Sequence, residues 1–168
     1  MSNYDLQVGN VKFALARWDE PEDCAAVLHL LDDYARDPMG GGTPLSQHAH
    51  DNLPQAMAAM PGAFSVIGRI DDKPVALANC FTTLSTFACK PLINIHDLAV
   101  IADARGGGVG QKLLAFIEAE AKQRGCCKVT LEVLTGNARA RRSYERFGFT
   151  AYTLDESTGH AVLLQKML

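Results

Sequence analysis

Residues 92 to 121 constrain this chain more than any other stretch, because the hydrophobic period changes there across a run of glycines. Leu92 to Val100 reads as an extended strand. From Val109 onward the apolar positions Val109, Leu113, Leu114, Ile117 and Ala121 fall on one face of a helix of period 3.6. Between the two lies Arg105-Gly106-Gly107-Gly108-Val109-Gly110-Gln111. Glycine allows positive φ and lets a ligand approach the backbone with no Cβ in the way. The first turn of the helix then presents N–H groups and the positive end of the macrodipole. Such a junction holds anions, and a pyrophosphate fits it. It is not a Walker A loop, because Gly110 is followed by Gln111-Lys112-Leu113 rather than Lys-Ser/Thr. The dinucleotide fingerprint also fails. Its sixth position would be Gln111 counted from Gly106, or Leu113 counted from Gly108, where Gly or Ala is required. Taken alone, the run is equally satisfied by a turn that merely joins strand to helix.

The rest of the chain fits a single domain spanning residues 1–168. An apolar fraction of 48% in 168 residues is enough for one core and not for two. The pattern predicts a strand at Val11 to Leu15, then a helix with Asp19 as N-cap, Glu22 completing a capping box, and a stripe of Val27, Leu30, Leu31 and Tyr34. Arg36 to Thr43, with Pro38 and Gly40 to Gly42, predicts a flexible loop. Ser46 to Met60 reads as two short helical pieces, the second opened by Pro54. Phe64 to Ile70 and Val75 to Thr83 form a hairpin turning at Asp71-Asp72-Lys73-Pro74. Gly125 stops the long helix, and Lys128 to Val133 alternates as a strand. A helix from Asn137 to Phe147 follows, and then a final pair of strands, Phe149 to Thr153 and His160 to Lys166. The element order implies an α+β or mixed α/β domain.

Composition narrows the partners. A net charge of -3 argues against nucleic acid or an anionic membrane, and no run approaches the roughly 18 apolar residues of a membrane span. Met1-Ser2-Asn3-Tyr4-Asp5 has neither a basic nor an apolar signal region, so a cytoplasmic protein is expected. Cys24, Cys80, Cys89, Cys126 and Cys127 read as reduced thiols, with one of the adjacent pair buried and the other half-exposed. No metal is expected.

A second cluster adds to the glycine run. Asn137, Ala140, Arg141 and Tyr144 stand at i, i+3, i+4 and i+7 on one helical face, within Asn137-Ala138-Arg139-Ala140-Arg141-Arg142-Ser143-Tyr144-Glu145-Arg146-Phe147-Gly148-Phe149. Here the chain resembles the Gcn5-related N-acetyltransferase (GNAT) superfamily. That family's Q/R-x-x-G-x-G/A motif aligns with Arg105 to Gly110, and its N-x-x-A-x-x-x-Y-x-x-x-G-F pattern with Asn137 through Gly148-Phe149. The resemblance implies a mostly antiparallel, mixed central sheet of about six to seven strands flanked by about four helices. It also implies acetyl-CoA as co-substrate, a primary amine of a small molecule as acceptor, and direct attack in a ternary complex. By the same resemblance, the backbone of Leu98, Ala99 and Val100 should pair with the pantetheine arm as an added strand. The turn from Arg105 through Gly106, Gly107, Gly108, Val109 and Gly110 to Gln111 should hold the pyrophosphate, with Asn137 and Ala140 near the cofactor. Asn137 serves equally as a plain N-cap. By the same resemblance Arg139, Arg141, Arg142 and Arg146 could reach cofactor phosphates; for most of them a solvated helix face is the alternative. Family members are often dimers, so a homodimer is one expected state.

Amide formation needs a neutral amine, a donor for the developing oxyanion and a proton for the leaving thiolate. An alkylamine of pKa roughly 10.4 is almost wholly protonated at neutral pH, so a base helps. Tyr144 matches the family's acid; packing beside Phe147 is its alternative role. The backbone amide of Leu98 or its neighbour is the expected oxyanion donor. For the base, Asn94-Ile95-His96-Asp97-Leu98-Ala99-Val100 is similar to the H-x-H-x-L-A-V of arylalkylamine acetyltransferases. Their second histidine maps to His96 and their first to Asn94, which cannot take a proton. The glutamate that histone-type relatives carry near Asn94 is missing as well. In a regular strand His96 and Asp97 point to opposite faces, so only one can reach the acetyl group unless a bulge intervenes. Either can be the base; a structural histidine is the alternative for His96. A peptide or protein amine as acceptor, or a non-catalytic acyl-CoA sensor, stay as competing functions. Met39, Gln47, His48 and His50 are candidates for the acceptor side, or plain surface residues.

Overall fold

Two aspartates make the first tight turn of the sheet. Asp71 and Asp72 both take positive φ, 49° and 61°, between strands β2 (Ala63–Ile70) and β3 (Lys73–Ser85). Paired positive φ at a two-residue loop matches the twist of a hairpin, and aspartate tolerates it. The computed structural model describes residues 11–153, 155, 157, 159 and 161–167. They fall into two compact units, one up to residue 131 and one from residue 132.

The first unit holds a five-stranded sheet in the order β1-β2-β3-β4-β5. Strand β1 (Lys12–Leu15) and the long β4 (Lys90–Val100) complete an antiparallel set with β2 and β3. Strand β5 (Val129–Leu131) pairs in parallel with β4 at Ile93 to Ile95 only. From His96 to Val100, β4 keeps β3 as its neighbour and runs past the end of β5.

Helices cover the two faces of this sheet. Helix α1 (Pro21–Arg36) lays Ala26, Val27, Leu30 and Leu31 against Ile67 and Leu77, as its apolar stripe predicts. Its N-cap is Glu20 with Pro21 at the first helical position, and no side chain caps it. The expected Asp19 capping box does not form. Proline pre-sets the first turn one residue later, and the nearby carboxylate of Asp23 accepts from the Arg17 N–H at 2.8 Å instead. Helix α2 (Gln47–Ala59) is capped by Ser46, whose hydroxyl accepts from the Ala49 N–H at 3.1 Å. It runs through Pro54 as one helix rather than two pieces. On the other face, helix α3 (Val109–Gln123) brings Phe116 to 6.0 Å from the Phe13 ring.

The second unit contains helix α4 (Ala138–Phe147), ended by Gly148 at φ 110°. The expected last two strands are not formed: the described residues of 149–153 and 161–167 carry no strand. One backbone bond joins them, Ala161 N–H to the Tyr152 carbonyl at 3.2 Å. His160 lies outside the described residues. A two-stranded ribbon is marginal on its own. Among the described residues the sheet has five strands instead of six to seven. Among the described residues no helix is long and apolar enough to cross a membrane, and no group of acidic, histidine or cysteine side chains is arranged to hold a metal.

Candidate active site

The glycine run does what its composition requires. Gly106 and Gly108 take φ of 89° and 78°. Gly108 is the left-handed N-cap of α3, whose first bond runs from the Lys112 N–H to the Gly108 carbonyl at 3.1 Å. The amides of the first turn thus point out of the helix end, with the positive pole of the macrodipole behind them. Gly106, Gly107 and Gly108 are exposed, and a Cβ built at any of them would meet nothing within 4 Å. A Cβ at Gly110 would meet only Val100 Cγ2, at 3.9 Å. An open, glycine-lined helix end fits a bulky anionic group.

Arg105 points elsewhere. Its Nε–H donates to the Val100 carbonyl at 2.7 Å, and its Nη2 lies 3.3 Å from Asp37 Oδ2. The guanidinium ties the end of β4 to the residue that ends α1. The loop after α1 is a built turn. A Cβ on Gly40 would lie 1.9 Å from the Tyr34 carbonyl, so only glycine fits that close approach. The Leu45 N–H donates to Asp32 Oδ1 at 2.8 Å and the Thr43 N–H to the Ala35 carbonyl at 3.1 Å. That backbone donor, with Arg36 beside it, holds the Asp32 carboxyl below its usual range. Met39, Gln47, His48 and His50 are exposed; Gln47 Nε2 donates to Asp51 at 2.8 Å, and Asn52 Nδ2 to the His48 carbonyl at 2.8 Å.

The decisive local feature of β4 is a bulge. Asn79 pairs with Asp97 but Cys80 pairs with Ile95, so His96 is the extra residue. The expected opposition of His96 and Asp97 is removed. Asn79 and Phe81 stand two apart on β3 and share a face. Asn79 Nδ2 donates to Asp97 Oδ2 at 3.0 Å, while the His96 ring packs edge-on to Phe81 at 5.7 Å. Both side chains therefore lie on the α1 face of the sheet. His96 is exposed and Asp97 half-buried. Leu98, Ala99 and Val100, all half-buried, continue the strand on the stretch β5 does not reach. Asn94 is turned to the other neighbour, its Nδ2 donating to Thr130 Oγ1 at 3.2 Å.

Two residues of this region went unpredicted. Ser65 is fully buried and Asn79 is 3% exposed. Ser65 Oγ–H donates to Asn79 Oδ1 at 2.5 Å, so a polar row crosses three strands and ends at Asp97. The available signal was a serine and an asparagine at inward positions of otherwise apolar strands. Burial also lifts the Tyr34 phenol above its ordinary range, helped by the charges of Asp97 and Asp37.

In the second unit, Asn137 is the N-cap of α4, and its Oδ1 accepts from the Ala140 N–H at 3.1 Å. Tyr144 lies two turns on along the same helical face, with its ring 5.9 Å from that of Phe149. Cys126 is half-buried and Cys127 exposed, each one step more open than expected. Cys127 N–H donates to the Pro91 carbonyl at 2.8 Å.

Comparison with known proteins converges on one family. Residues 25–149 match the model of the acetyltransferase (GNAT) family. Streptothricin acetyltransferase of Streptomyces lavendulae is 34% identical over 77 residues, 46% of this chain and 41% of that protein. An acetyltransferase of Agrobacterium fabrum is 48% identical over 46 residues, 27% of this chain and 32% of that protein. The matched segments span about a third to a half of the length of the curated relatives. Among solved structures, an aminoglycoside acetyltransferase from an uncultured soil metagenomic sample aligns with TM-score 0.75 at 17% identity, over 95% of this chain and 97% of that one. A ribosomal-protein-alanine N-acetyltransferase from Brucella melitensis biovar Abortus aligns with TM-score 0.74 at 17% identity, over 93% and 99%. At such identities the likeness is one of fold.

Proposed function

Because the chain belongs to the acetyltransferase (GNAT) family, we propose that it moves an acetyl group from acetyl-CoA to a primary amine of a small molecule, by direct attack within a ternary complex. The observation that carries the proposal is a single continuous path. The one-sided stretch of β4 leads into the open glycine turn at the start of α3, and the His96 bulge stands at its upstream end. The match to the family runs across both units, which supports one acetyltransferase domain. The name of the streptothricin relative supports a small-molecule acceptor.

Acetyl-CoA, when bound, supplies an activated thioester. The amides of Gly106 to Gln111 would hold its pyrophosphate, and the backbone of Leu98, Ala99 and Val100 its pantetheine arm. Asn137 and Ala140 lie on the helical face carrying Tyr144 and would flank the cofactor. Asp97 attracts the ammonium form of the acceptor, and His96 takes its proton, directly or through water. The amide of Leu98 or its neighbour would donate to the carbonyl oxygen as charge gathers there. Tyr144 gives its phenolic proton to the departing sulfur.

A panel of amines, aminoglycosides and amino acids, scored by release of free thiol from acetyl-CoA, tests the reading directly. Gly107→Leu and Gly110→Leu sharpen it. Neither position has positive φ; a Cβ would meet nothing within 4 Å at Gly107 and only Val100 Cγ2, in ordinary contact, at Gly110. Both variants should stay folded and lose cofactor binding in calorimetry, whereas Gly108 would confound the result with backbone strain. Unchanged affinity in both would remove the proposed site. Tyr144→Phe should keep cofactor affinity and lower turnover by about 10- to 10,000-fold. Weaker binding with intact turnover would instead make Tyr144 a packing residue.

A further inference from the structure

Ser65, Asn79 and Asp97 occupy one cross-strand row, in register from β2 through β3 to β4. Their neighbours along the same face are apolar: Ile67 and Leu77 belong to the α1 core. Burying a hydroxyl and an amide among such residues is unfavourable unless every group is paired, and a fully paired row is stiff. Apolar side chains at 65 and 79 would serve the core at least as well. What the row delivers is one donor, aimed at a carboxylate beside the bulged His96.

The amide has only one workable orientation. A carboxylate accepts and never donates while ionised, so the NH2 of Asn79 must face Asp97. The hydroxyl of Ser65 donates to the other end of the amide, Oδ1, at 2.5 Å, and so ties the side chain to β2. Asp97 Oδ2 is thereby turned into the sheet.

We propose that Asn79, locked by Ser65, is a positioning residue that fixes Asp97 Oδ2 and so presents Oδ1 to the ammonium group of the acceptor. The inference rests on the acetyl-transfer reading and adds to it the means by which the acceptor is captured next to the base. Asn79 and Ser65 act on the amine alone, through Asp97, and leave the cofactor turn untouched.

A double-mutant cycle on the full chain tests this, read as kcat/KM for the amine and KM for acetyl-CoA, with thermal unfolding as a fold control. Asn79→Ala should lower kcat/KM for the amine about 10- to 100-fold, as expected for losing a hydrogen bond to a charged group. KM for acetyl-CoA should not move. In an Asp97→Asn background the same substitution should have no further effect, because the group it acts through is already gone. Ser65→Ala deletes one hydroxyl and keeps the Asn79–Asp97 bond. It should give a smaller loss that also disappears in the Asp97→Asn background, and it carries the cycle should Asn79→Ala not fold. Additive losses, or equal losses for amine and cofactor, would overturn the positioning role while leaving acetyl transfer intact. A parent protein that binds acetyl-CoA in calorimetry but releases no thiol with any amine would overturn the transfer reading and this inference together.

Discussion

The two faces of the β4 region are built to opposite rules. Toward α3, Phe13, Phe64, Val66, Ala76, Ala78, Cys80, Ile93 and Ile95 are all buried and apolar, and Phe13 meets Phe116 of the helix. Toward α1, the same strands carry the apolar Ile67 and Leu77, then the row Ser65, Asn79 and Asp97, and beyond it Phe81 with the exposed His96 against its ring. The bulge makes the difference possible. One inserted residue leaves Ile95 on the dry face opposite Cys80 and turns two consecutive polar side chains to the other. The first face is dry core, and the second divides between the α1 core and a polar row available for chemistry.

If that division is right, substitutions on the two faces should fail in different ways. The largest effect is expected at His96. His96→Ala should lower turnover by about 100- to 10,000-fold at saturating acceptor, the span for losing a general base, with little change in thermal midpoint because the ring is exposed. Amines of different basicity separate its contribution from theirs: a pH limb set by the protein stays put, and one set by the amine moves with it. An unchanged rate and profile would leave Asp97 or spontaneous deprotonation as the account. On the dry face, Ile95→Ala should cost about 2–5 kcal/mol of stability through transfer and cavity effects, read as a shift in urea midpoint. Amine KM in the surviving folded protein should stay near the parent value. A variant that kept its stability but lost turnover would break the comparison.

Sequence alone carried the backbone of this picture and missed its side-chain logic. The period switch at Val109 and the glycine run placed the strand, turn and helix correctly, since local chemistry dictates all three. Pro54 misled, because an amphipathic face packed on the protein can hold a helix through a proline. Asp19 misled, because Pro21 moved the helix start. The bulge was beyond reach: nothing in Asn94-Ile95-His96-Asp97 says which residue β3 will leave unpaired. Register is a property of two strands, so His96 and Asp97 could be named but not put on one face. Ser65 and Asn79 were invisible for a related reason. Each looks like an isolated polar residue until the register sets them side by side.

The smallest expected effect concerns Cys80, and it tests how dry the α3 face is. Burial pushes its thiol up to about 12; the charge of Asp97 adds to the rise and that of Arg124 opposes it. In the unfolded chain the thiol ionises near the ordinary cysteine value, about 8.5 to 9. Below that pH both states keep the proton, and the linked stability is fully present. As pH rises toward 12 the unfolded state releases the proton while the folded state retains it, so unfolding becomes easier. The loss amounts to about 1.4 kcal/mol per pH unit within the window. Cys80→Ala should be less stable than the parent at pH 7, having lost buried sulfur, yet its stability should decline less steeply between pH 9 and 10. The difference in slope, about 1 kcal/mol over that unit, is read from urea midpoints at the two pH values. Alkylation supplies an independent reading: exposed Cys89 and Cys127 should react in the native protein at pH 8, and Cys80 only as fast as the sheet opens. Parallel pH slopes with rapid native labelling of Cys80 would mean that water reaches the α3 face, and the contrast between the two faces would fail there.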